Sequence, residues 1–359
     1  NRSEMKNILF IFGTRPEAIK LAPLIKEFQK HRENFVTKIC VTGQHRHLLD
    51  QVTKFFNIVA DYDLNIMKPN QTLFDMTSDG IKGLKKIIEQ SQPHLIFVQG
   101  DTTSALIGAI SGFYEKVKVS HIEAGLRSKN KYSPYPEEIN RKLVDHIADY
   151  LFAPTPNALA NLRNEGIVKN VWNVGNTVVD ALFLGLRMIR EGNEDAYYDF
   201  FNFIDFSKKI ILITGHRRES FGKPLENICN ALSSISKTYK DVEIVYPVHL
   251  NPNVKKPVHK LLKGIENVHL IDPLDYPHLV WLMNKCHFIL TDSGGIQEEA
   301  PSLGKPVLVM REVTERIEGI EAGTARLVGT NTALIMNEVH NLINNNDHYN
   351  KMANTVNPY

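Results

Sequence analysis

The segment Phe288-Ile-Leu-Thr-Asp-Ser-Gly-Gly-Ile-Gln-Glu-Glu-Ala300 decides the fold and raises the first functional hypothesis. Phe288 to Thr291 is a short apolar run with β-branched residues, which is typical of a buried parallel strand. Residues 292–295 supply turn and N-cap chemistry, and residues 296–303 are predicted to form a helix directly afterwards. Adjacent glycines let the backbone approach a ligand, and the first turn of a helix presents unpaired N–H groups. The segment therefore predicts a strand, a turn and a helix that together seat a phosphate.

Two carboxylates in the predicted first turn leave two interpretations open. Glu298 and Glu299 suit the positive end of the helix dipole, which is a purely structural role. A carboxylate there could also accept both hydroxyls of a ribose whose phosphate lies on the glycines. The segment matches neither Gly-x-Gly-x-x-Gly nor Gly-x-x-x-x-Gly-Lys-Ser/Thr, so it supports neither a dinucleotide fingerprint nor a P-loop. By itself it indicates a diphosphate-bearing nucleotide and no particular reaction.

The composition narrows the class of protein. A length of 359 residues predicts about two domains, and 43% apolar and 23% charged residues are ordinary for a globular protein. The net charge of +2, without a basic block, argues against a nucleic-acid surface. Cys40, Cys229 and Cys286 are odd in number and lie in or beside apolar runs, which favours reduced, buried thiols in a cytoplasmic protein. We expect no membrane span and no signal peptide, because no apolar run is long enough and the first residues lead directly into a strand.

Strands alternate with helices on both sides of this segment. Predicted strands cover residues 8–12, 36–42, 95–98, 117–122, 150–153 and 171–174, and then 210–214, 242–248, 268–271, 288–291, 306–310 and 326–328. This alternation predicts an α/β fold of two similar-sized units, each with a doubly wound parallel sheet, and a cleft between them. We place the domains at residues 1–175 and 176–359, with the last helix a candidate for packing back on the first domain.

Charged residues follow several strands of the first half. Arg15 and Lys20 follow the first strand, Asp101 and Glu123 follow two later strands, and the Glu137-Glu138 pair opens a helix after a proline-rich loop. Thr14 with Glu17 is also predicted to form a capping box. Open α/β sheets bind ligands at the carboxyl ends of their strands. A single acidic residue there is usually a helix cap, but several clusters at one edge favour a shared site.

The second half adds histidines and arginines at the same kind of position. His216 follows its first strand together with Arg217 and Arg218, and His249 follows its second strand. We expect these side chains to face the predicted phosphate-binding segment at 292–295, which favours a nucleotide diphosphate site. Spacings such as His-Glu-x-x-His or Cys-x-x-Cys are absent, so we expect no metal site.

The candidate acid–base residues are Asp101, Glu123, Glu137 and His216. Several carboxylates in one water-poor cleft push their pKa values apart, so that one serves as a base while another is an acid. This arrangement suits proton exchange at carbon or acid-assisted departure of a phosphate. From the residues alone, group transfer, hydrolysis and epimerisation all remain open.

An ordered set of motifs adds a resemblance to a known family. In chain order they are Phe12-Gly-Thr-Arg-Pro-Glu-Ala-Ile-Lys20, Thr42-Gly-Gln-His45, Gly100-Asp-Thr-Thr103, His121-Ile-Glu-Ala-Gly-Leu-Arg127, Tyr132-Ser-Pro-Tyr-Pro-Glu-Glu-Ile-Asn-Arg141, Gly175-Asn-Thr177, Thr214-Gly-His-Arg-Arg-Glu219, His249-Leu-Asn-Pro-Asn253, Thr291-Asp-Ser-Gly-Gly-Ile-Gln-Glu-Glu-Ala-Pro301 and Thr314-Glu-Arg316. Together they resemble the signature of the bacterial non-hydrolysing UDP-N-acetylglucosamine 2-epimerases, from Ile8 to about Gly329.

The resemblance implies a glycosyltransferase-B-type fold of two Rossmann-like, doubly wound parallel-sheet domains with the active site in the cleft between them, and usually a homodimer. It implies reversible conversion of UDP-GlcNAc to UDP-ManNAc without cofactor or metal. It also implies anti elimination of UDP to a 2-acetamidoglucal and re-addition after protonation on the opposite face of C2. The product would supply ManNAc for surface polysaccharide synthesis. A hydrolysing 2-epimerase that releases UDP and ManNAc, and a nucleotide-sugar sensor on the same fold, are the alternatives.

Residue roles follow from matching positions. The resemblance implies acid–base roles for Asp101, Glu123, Glu137 and His216, with phosphate binding as another role for His216. It implies substrate binding by the following residues: Arg15, Lys20, Arg141, His249, Ser293, Gly294, Gly295, Glu299 and Arg316. Ser293 to Gly295 would take the diphosphate and Glu299 the ribose.

Two positions, Leu279 and Asn70, differ from the pattern of the family. Leu279 stands where many relatives have a phenylalanine near the uracil. Regulated relatives bind a second UDP-GlcNAc near the positions of Gln44, His45 and Gln71, which makes these a candidate allosteric site. Asn70 replaces the arginine of that segment, and loss of this cation would weaken such activation.

Overall fold

The computed structural model describes residues 5–43, 46–68, 71–215 and 217–359. Its contacts divide the chain into two compact units, Asn1–Leu184 and Gly185–Tyr359. Each unit is built around its own parallel sheet.

The first unit contains, within its described residues, a seven-stranded sheet in the order β3-β2-β1-β4-β5-β6-β7, in which every pairing is parallel. The strands are β1 (Lys6–Phe12), β2 (Phe35–Val41), β3 (Tyr62–Asp63), β4 (Leu95–Gln99), β5 (Lys118–Ile122), β6 (Tyr150–Ala153) and β7 (Val171–Asn173). The helices are α1 (Arg15–Lys30), α2 (Arg46–Phe55), α3 (Leu73–Ser91), α4 (Thr103–Tyr114), α5 (Glu137–Ile147), α6 (Pro156–Asn164) and α7 (Thr177–Glu191), the last of which crosses the division between the units.

The central strands are apolar along their length because helices cover both faces of a parallel sheet. Leu9 and Ile11 of β1 and Ile96 and Val98 of β4 are completely buried. The strand order reverses between β1 and β4, so a crevice is expected outside the carboxyl ends of these two strands. Arg15 and Asp101 follow these two ends.

Gly13 permits the close packing that brings the start of α1 to this crevice. A Cβ atom at this position would collide with the hydroxyl groups of Thr42 and Ser104, which hydrogen-bond to each other at 2.8 Å. A glycine is therefore required between β1 and α1.

The second unit contains, among its described residues, a six-stranded parallel sheet in the order β10-β9-β8-β11-β12-β13. The strands are β8 (Lys209–Thr214), β9 (Val242–Pro247), β10 (Val268–Ile271), β11 (Phe288–Thr291), β12 (Val307–Val309) and β13 (Ala325–Leu327). The helices are α8 (Asp195–Phe200), α9 (Lys223–Thr238), α10 (Pro252–Leu262), α11 (Tyr276–Lys285), α12 (Gly294–Glu299), α13 (Ile317–Ala322), α14 (Thr332–Asn344) and α15 (Asn346–Ala353), with 3-10 turns at Arg218–Ser220 and Ala300–Leu303.

The order of this second sheet reverses between β8 and β11. The segment predicted to seat a phosphate follows β11 directly, so it lies at the topological switch point of its unit. The predicted α/β class with two doubly wound parallel sheets is confirmed.

Strand β3 and helix α8 are among the elements that were not predicted from the sequence. Strand β3 has two residues, and none of the six residues of α8 is buried. The helix predicted at 296–303 begins earlier, at Gly294, and changes to a 3-10 turn after Glu299.

Candidate active site

Glu123 lies at the carboxyl end of β5 and accepts hydrogen bonds from Lys20 and Asn176. The ammonium of Lys20 in α1 donates a hydrogen bond to Glu123 Oε2, and Asn176 Nδ2 donates to the same oxygen at 3.1 Å. The side chains of Lys20 and Glu123 are only 13% and 10% exposed. The backbone of Glu123 has a φ of 68°, a left-handed conformation that costs energy for a residue with a side chain. Such strain is common at functional sites.

Asp101 lies at the carboxyl end of β4 and is held by α5. Arg141 Nη2 donates a hydrogen bond to Asp101 Oδ2, and Asn140 Nδ2 donates to the backbone oxygen of Asp101 at 3.0 Å. Arg141 Nη1 also lies 3.4 Å from Glu138 Oε2, so one guanidinium contacts two carboxylates. Lys20 and Arg141, two of the cations expected to bind substrate, therefore each contact one predicted acid–base residue.

The neighbouring residues Glu137 and Glu138 have different environments. Glu138 is completely buried, and its carboxylate accepts hydrogen bonds from the backbone N–H groups of Ser128 and Lys129 at 2.8 and 3.2 Å. Its role is to hold the loop before α5. Glu137 has a buried Oε2 with no hydrogen-bond partner among the described residues. A buried acceptor left unpaired is costly, which makes this oxygen a candidate for contact with a ligand.

Glu17 is a site residue that the sequence identified only as a helix cap. Its Oε2 accepts the backbone N–H groups of Gly13 and Thr14 at 3.1 and 2.8 Å, which confirms the glutamate's part in the predicted cap. Its Oε1 accepts the hydroxyl hydrogen of Thr102, next to Asp101, at 2.7 Å. Burial raises the pKa of Glu17 to about 7 despite these hydrogen bonds. No sequence signal indicated the contact with Thr102.

In the second unit, the start of α12 combines backbone N–H groups with a guanidinium. Ser293 is the N-cap residue of α12, and Gly294 and Gly295 form its first turn. A Cβ atom on Gly294 would lie 3.0 Å from Cζ of Arg316, so a side chain at this position would press on that guanidinium. Arg316 Nε in turn donates to Glu298 Oε1 at 2.8 Å. This arrangement suits an anion.

Asp292 joins the loops that follow β8 and β11. Its Oδ2 accepts the backbone N–H of Arg217 at 2.8 Å, and its backbone oxygen accepts Arg217 Nε at 3.1 Å. The hydroxyl groups of Thr214 and Thr291, at the ends of the two strands, are 2.6 Å apart. The two strand ends of this switch point are therefore held together.

A buried arginine that the sequence did not single out supports the loop before Arg316. Arg311 donates to Glu219 Oε1 and to Glu315 Oε2, both at 2.7 Å. The hydrogen bond from Arg311 lowers the pKa of Glu315 to about 2. Arg311 is only 5% exposed, so this ion pair joins the loop after β12 to the loop after β8.

The remaining predicted site residues fall in different settings. Arg15 begins α1 and is half-buried, and Glu299 ends α12. His249 is exposed, and its Nδ1 accepts the N–H of Asn251 at 3.1 Å. Gln71 Nε2 donates to the backbone oxygen of Ile66 at 2.7 Å. Gln44, His45 and His216 lie outside the described residues.

Two features are absent from the part of the chain that the structure describes. It contains no group of three or more His, Cys, Asp or Glu side chains arranged to hold a metal ion. None of its helices is both long enough and apolar enough to cross a bilayer.

Comparison with known proteins gives concordant matches over nearly the whole chain. A family model described as UDP-N-acetylglucosamine 2-epimerase matches residues 26–359. A Ralstonia solanacearum protein named probable UDP-N-acetylglucosamine 2-epimerase is 52% identical over 99% of this chain and 95% of its own length. The UDP-N-acetylglucosamine 2-epimerase of Escherichia coli K12 is 51% identical over 98% of this chain and 94% of its own. Among solved structures, the UDP-GlcNAc 2-epimerase of Neisseria meningitidis bound to UDP-GlcNAc superposes with a TM-score of 0.88 at 49% identity, covering 98% of this chain and 95% of that one.

Proposed function

The chain belongs to the UDP-N-acetylglucosamine 2-epimerase family, and we propose that it interconverts UDP-GlcNAc and UDP-ManNAc by inverting C2 of the sugar. The observation that carries the proposal is the set of carboxylates in the first unit. Asp101 and Glu123 each contact a cation at a strand end, and Glu137 has a buried oxygen without a partner among the described residues. Inversion at carbon needs one group to remove a proton and another to deliver one.

The proposed reaction is an elimination followed by an addition. A base takes the proton from C2, and the electron pair of the C–H bond forms a double bond between C1 and C2. The bond between C1 and the phosphate oxygen breaks, and UDP departs with its electron pair, which leaves a 2-acetamidoglucal. UDP then adds back to C1 while an acid delivers a proton to the opposite face of C2. No oxidant or reductant is consumed.

We assign proton transfer to Asp101, Glu123 and Glu137, with His216 as a further acid–base or phosphate-binding group. The fixed positions of Asp101 and Glu123 support this assignment, because a base must be held within hydrogen-bond reach of the proton it removes. Lys20 and Arg141 hold these carboxylates, and in the proposal they also orient the substrate, together with Arg15.

We assign the UDP portion to the second unit. The backbone N–H groups of Ser293, Gly294 and Gly295 and the guanidinium of Arg316 would bind the diphosphate, and Glu299 the ribose. His249 would contact the substrate as well. The proposal requires UDP to stay bound while the sugar is an alkene, and a helix N-terminus with a fixed guanidinium supports retention of a diphosphate.

The test is incubation of UDP-GlcNAc with the protein in D₂O. We expect deuterium at C2 of the sugar and formation of UDP-ManNAc. Asp101→Asn and Glu123→Gln should each lower the rate by about 10²–10⁴-fold, as expected for loss of an acid or base. Glu89→Gln, which alters an exposed carboxylate in α3, is the matched control and should leave the rate unchanged.

Three outcomes would contradict the proposal. Turnover without deuterium at C2 would exclude proton exchange at that carbon. Free ManNAc accumulating in step with UDP would favour a hydrolysing 2-epimerase. Binding of UDP-GlcNAc with no turnover, unaffected by Asp101→Asn and Glu123→Gln, would favour a nucleotide-sugar sensor.

We further propose a homodimer in the cytoplasm whose product supplies ManNAc for surface polysaccharide synthesis. The aromatic rings of Phe113 and Tyr114 at the end of α4 are 64% and 66% exposed, which supports a protein contact at this helix. The free, buried thiols of Cys40, Cys229 and Cys286 support a reducing compartment. Light scattering of wild type and Phe113→Ser tests the dimer, and a monomeric wild type would exclude it.

The predicted allosteric site at Gln44, His45 and Gln71 stays a proposal. Gln71 contacts the loop before α3, and the other two residues lie outside the described part of the chain. Faster conversion of UDP-ManNAc to UDP-GlcNAc on addition of UDP-GlcNAc would support it, and simple hyperbolic kinetics would argue against it.

A further inference from the structure

We propose that His121 and Asp145 are positioning residues that fix three of the proposed acid–base side chains relative to one another. His121 belongs to β5 and Asp145 to α5, and both side chains are completely buried. Neither side chain is exposed to solvent, so neither can contact substrate directly. The consequence for catalysis rests on the proposed function, whereas the hydrogen-bond arrangement can be tested without it.

The imidazole of His121 faces an acceptor at each of its ring nitrogens. Nε2 lies 2.8 Å from the backbone oxygen of Gly100, and Nδ1 lies 2.7 Å from Asp145 Oδ1. A carbonyl oxygen can only accept a hydrogen bond, and so can an ionised carboxylate. Both ring nitrogens must therefore carry hydrogen, which makes His121 an imidazolium.

The ionised state of Asp145 is supported by its own partners. Asp145 Oδ2 accepts Arg127 Nη1 at 2.7 Å and the backbone N–H of Gly125 at 3.2 Å. Burial alone would raise the pKa of Asp145, but His121 and Arg127 outweigh it and hold that pKa below its usual value. Arg127 is paired in turn with Glu165, at 2.6 Å. The charges therefore alternate in sign along a chain of four side chains, of which His121, Asp145 and Arg127 are buried and Glu165 lies at the surface.

This chain of contacts joins the elements that carry the proposed acid–base residues. Gly100 directly precedes Asp101, and His121 and Gly125 lie two residues before and two residues after Glu123. Asp145 lies on the helix that begins with Glu137 and contains the partner of Asp101. One imidazolium–carboxylate pair thus connects the end of β4, the end of β5 and α5.

The end of β5 needs such support because its backbone conformation is unusual. Gly100 has a φ of 69°, which glycine adopts readily, whereas Glu123 has a φ of 68°, which is strained for a residue with a side chain. A residue with a side chain persists in this left-handed region only when surrounding contacts over-determine its conformation. The His121 ring fixes the carbonyl of Gly100, and Asp145 fixes the N–H of Gly125, so both turns depend on the same pair.

The first measurement is the protonation state of His121 in the wild-type protein. With ¹⁵N-labelled histidine, both ring nitrogens of His121 should show the shifts of protonated nitrogens at neutral pH, with the signal assigned by its loss in His121→Gln. In Asp145→Asn the amide can donate to Nδ1, so His121 should become neutral while keeping its bond to Gly100. A neutral His121 in the wild type would overturn the proposal.

The second measurement separates positioning from binding. His121→Gln cannot donate from two separated nitrogens, so it should lower kcat by about 100-fold, the cost of misplacing reacting groups by about 1 Å. The dissociation constant of UDP should stay within twofold, because the proposed UDP contacts lie in the second unit. Asp145→Asn should lower kcat less than His121→Gln does. His31→Gln, which alters a histidine of the first unit that is 51% exposed and lies outside this chain of contacts, is the matched control and should change neither quantity.

Results that would overturn the positioning role can be distinguished from results that would overturn the proposed function. Unchanged kcat in His121→Gln, or an equal loss of kcat and UDP affinity, would overturn the positioning role. If the wild type turned over no UDP-GlcNAc, the proposed function would fail, and the positioning role would be judged by amide chemical shifts of Asp101 and Glu123. These shifts should change in His121→Gln or, if that variant does not fold, in Asp145→Asn, and they should stay unchanged in His31→Gln. Unchanged shifts in the folded variant would overturn the proposal.

Discussion

The substitution Glu17→Gln should remove a pH dependence of stability from the first unit. Glu17 is 1% exposed, and its carboxylate accepts three hydrogen bonds at the start of α1. Burial raises its pKa from 4.5 to about 7. A glutamine has nearly the same shape and can still accept the two backbone N–H groups through its oxygen, while its amide donates to the Thr102 hydroxyl. The substitution therefore removes the titration and keeps the contacts.

The size and sign of the effect follow from the two pKa values. Between pH 4.5 and about 7 the native state holds a proton at Glu17 that the unfolded state has released. The contribution of Glu17 to the free energy of unfolding is therefore fully present below pH 4.5 and is lost as the pH rises through about 7. The two values differ by about 2.5 pH units, and each unit is worth 1.36 kcal/mol, which gives about 3 kcal/mol in total.

The two tryptophans allow this to be measured in the first unit alone. Trp172 lies in β7 of the first unit and Trp281 in α11 of the second. In a Trp281→Phe background, Trp172 fluorescence during urea unfolding reports the first unit. Between pH 4.5 and 8, the stability of the parent should fall relative to Glu17→Gln by about 3 kcal/mol. A constant difference between the two proteins across this range would refute the raised pKa of Glu17.

Two further predictions concern stability. Gly13→Ala should destabilise the first unit by about 3 kcal/mol, because the added methyl group collides with two hydrogen-bonded hydroxyls. Gly295→Ala should lower the free energy of unfolding much less, because the atom nearest to the added methyl group lies at an ordinary contact distance of 3.5 Å. Equal losses of unfolding free energy in the two variants, measured by urea unfolding, would contradict this. Asn357→Ala should destabilise the second unit by about 1–2 kcal/mol, because Asn357 Nδ2 donates to the backbone oxygen of Glu298 at 2.8 Å and to a serine hydroxyl. An unchanged urea midpoint, monitored by Trp281, would show that these bonds contribute nothing.

Much of the fold was predictable because buried parallel strands have a strong signal. The strands Tyr150–Ala153, Val268–Ile271 and Phe288–Thr291 were predicted to the residue, since a short apolar run bounded by turn residues is long enough for a strand and too short for a buried helix. Strand β3 was missed because two residues show no periodicity. Helix α8 was missed because none of its six residues is buried, so it has no apolar stripe to detect.

The candidate site was predictable as a set of positions but not as a set of contacts. The carboxyl ends of parallel strands meet at one edge, which is why Asp101 and Glu123 could be placed together from sequence. One partner of Glu123 is Lys20, which lies 103 residues away, and no local rule identifies such a pair. The different roles of Glu137 and Glu138 were also hidden, because adjacent helical residues point in different directions and only packing decides which is buried.

The buried charges of the first unit are better explained by geometry than by stability. Removing a carboxylate and a cation from water costs several kcal/mol for each ion, and a well-packed apolar pair is often at least as stable. His121, Asp145 and Arg127 are all nearly or completely buried, so their burial brings little net stability. An apolar cluster, however, could not hold the carbonyl of Gly100 and the N–H of Gly125 in fixed directions. These two groups lie next to or near the proposed acid–base residues. The energetic cost of burying the charges therefore maintains hydrogen-bond directions that decide the positions of the reacting groups.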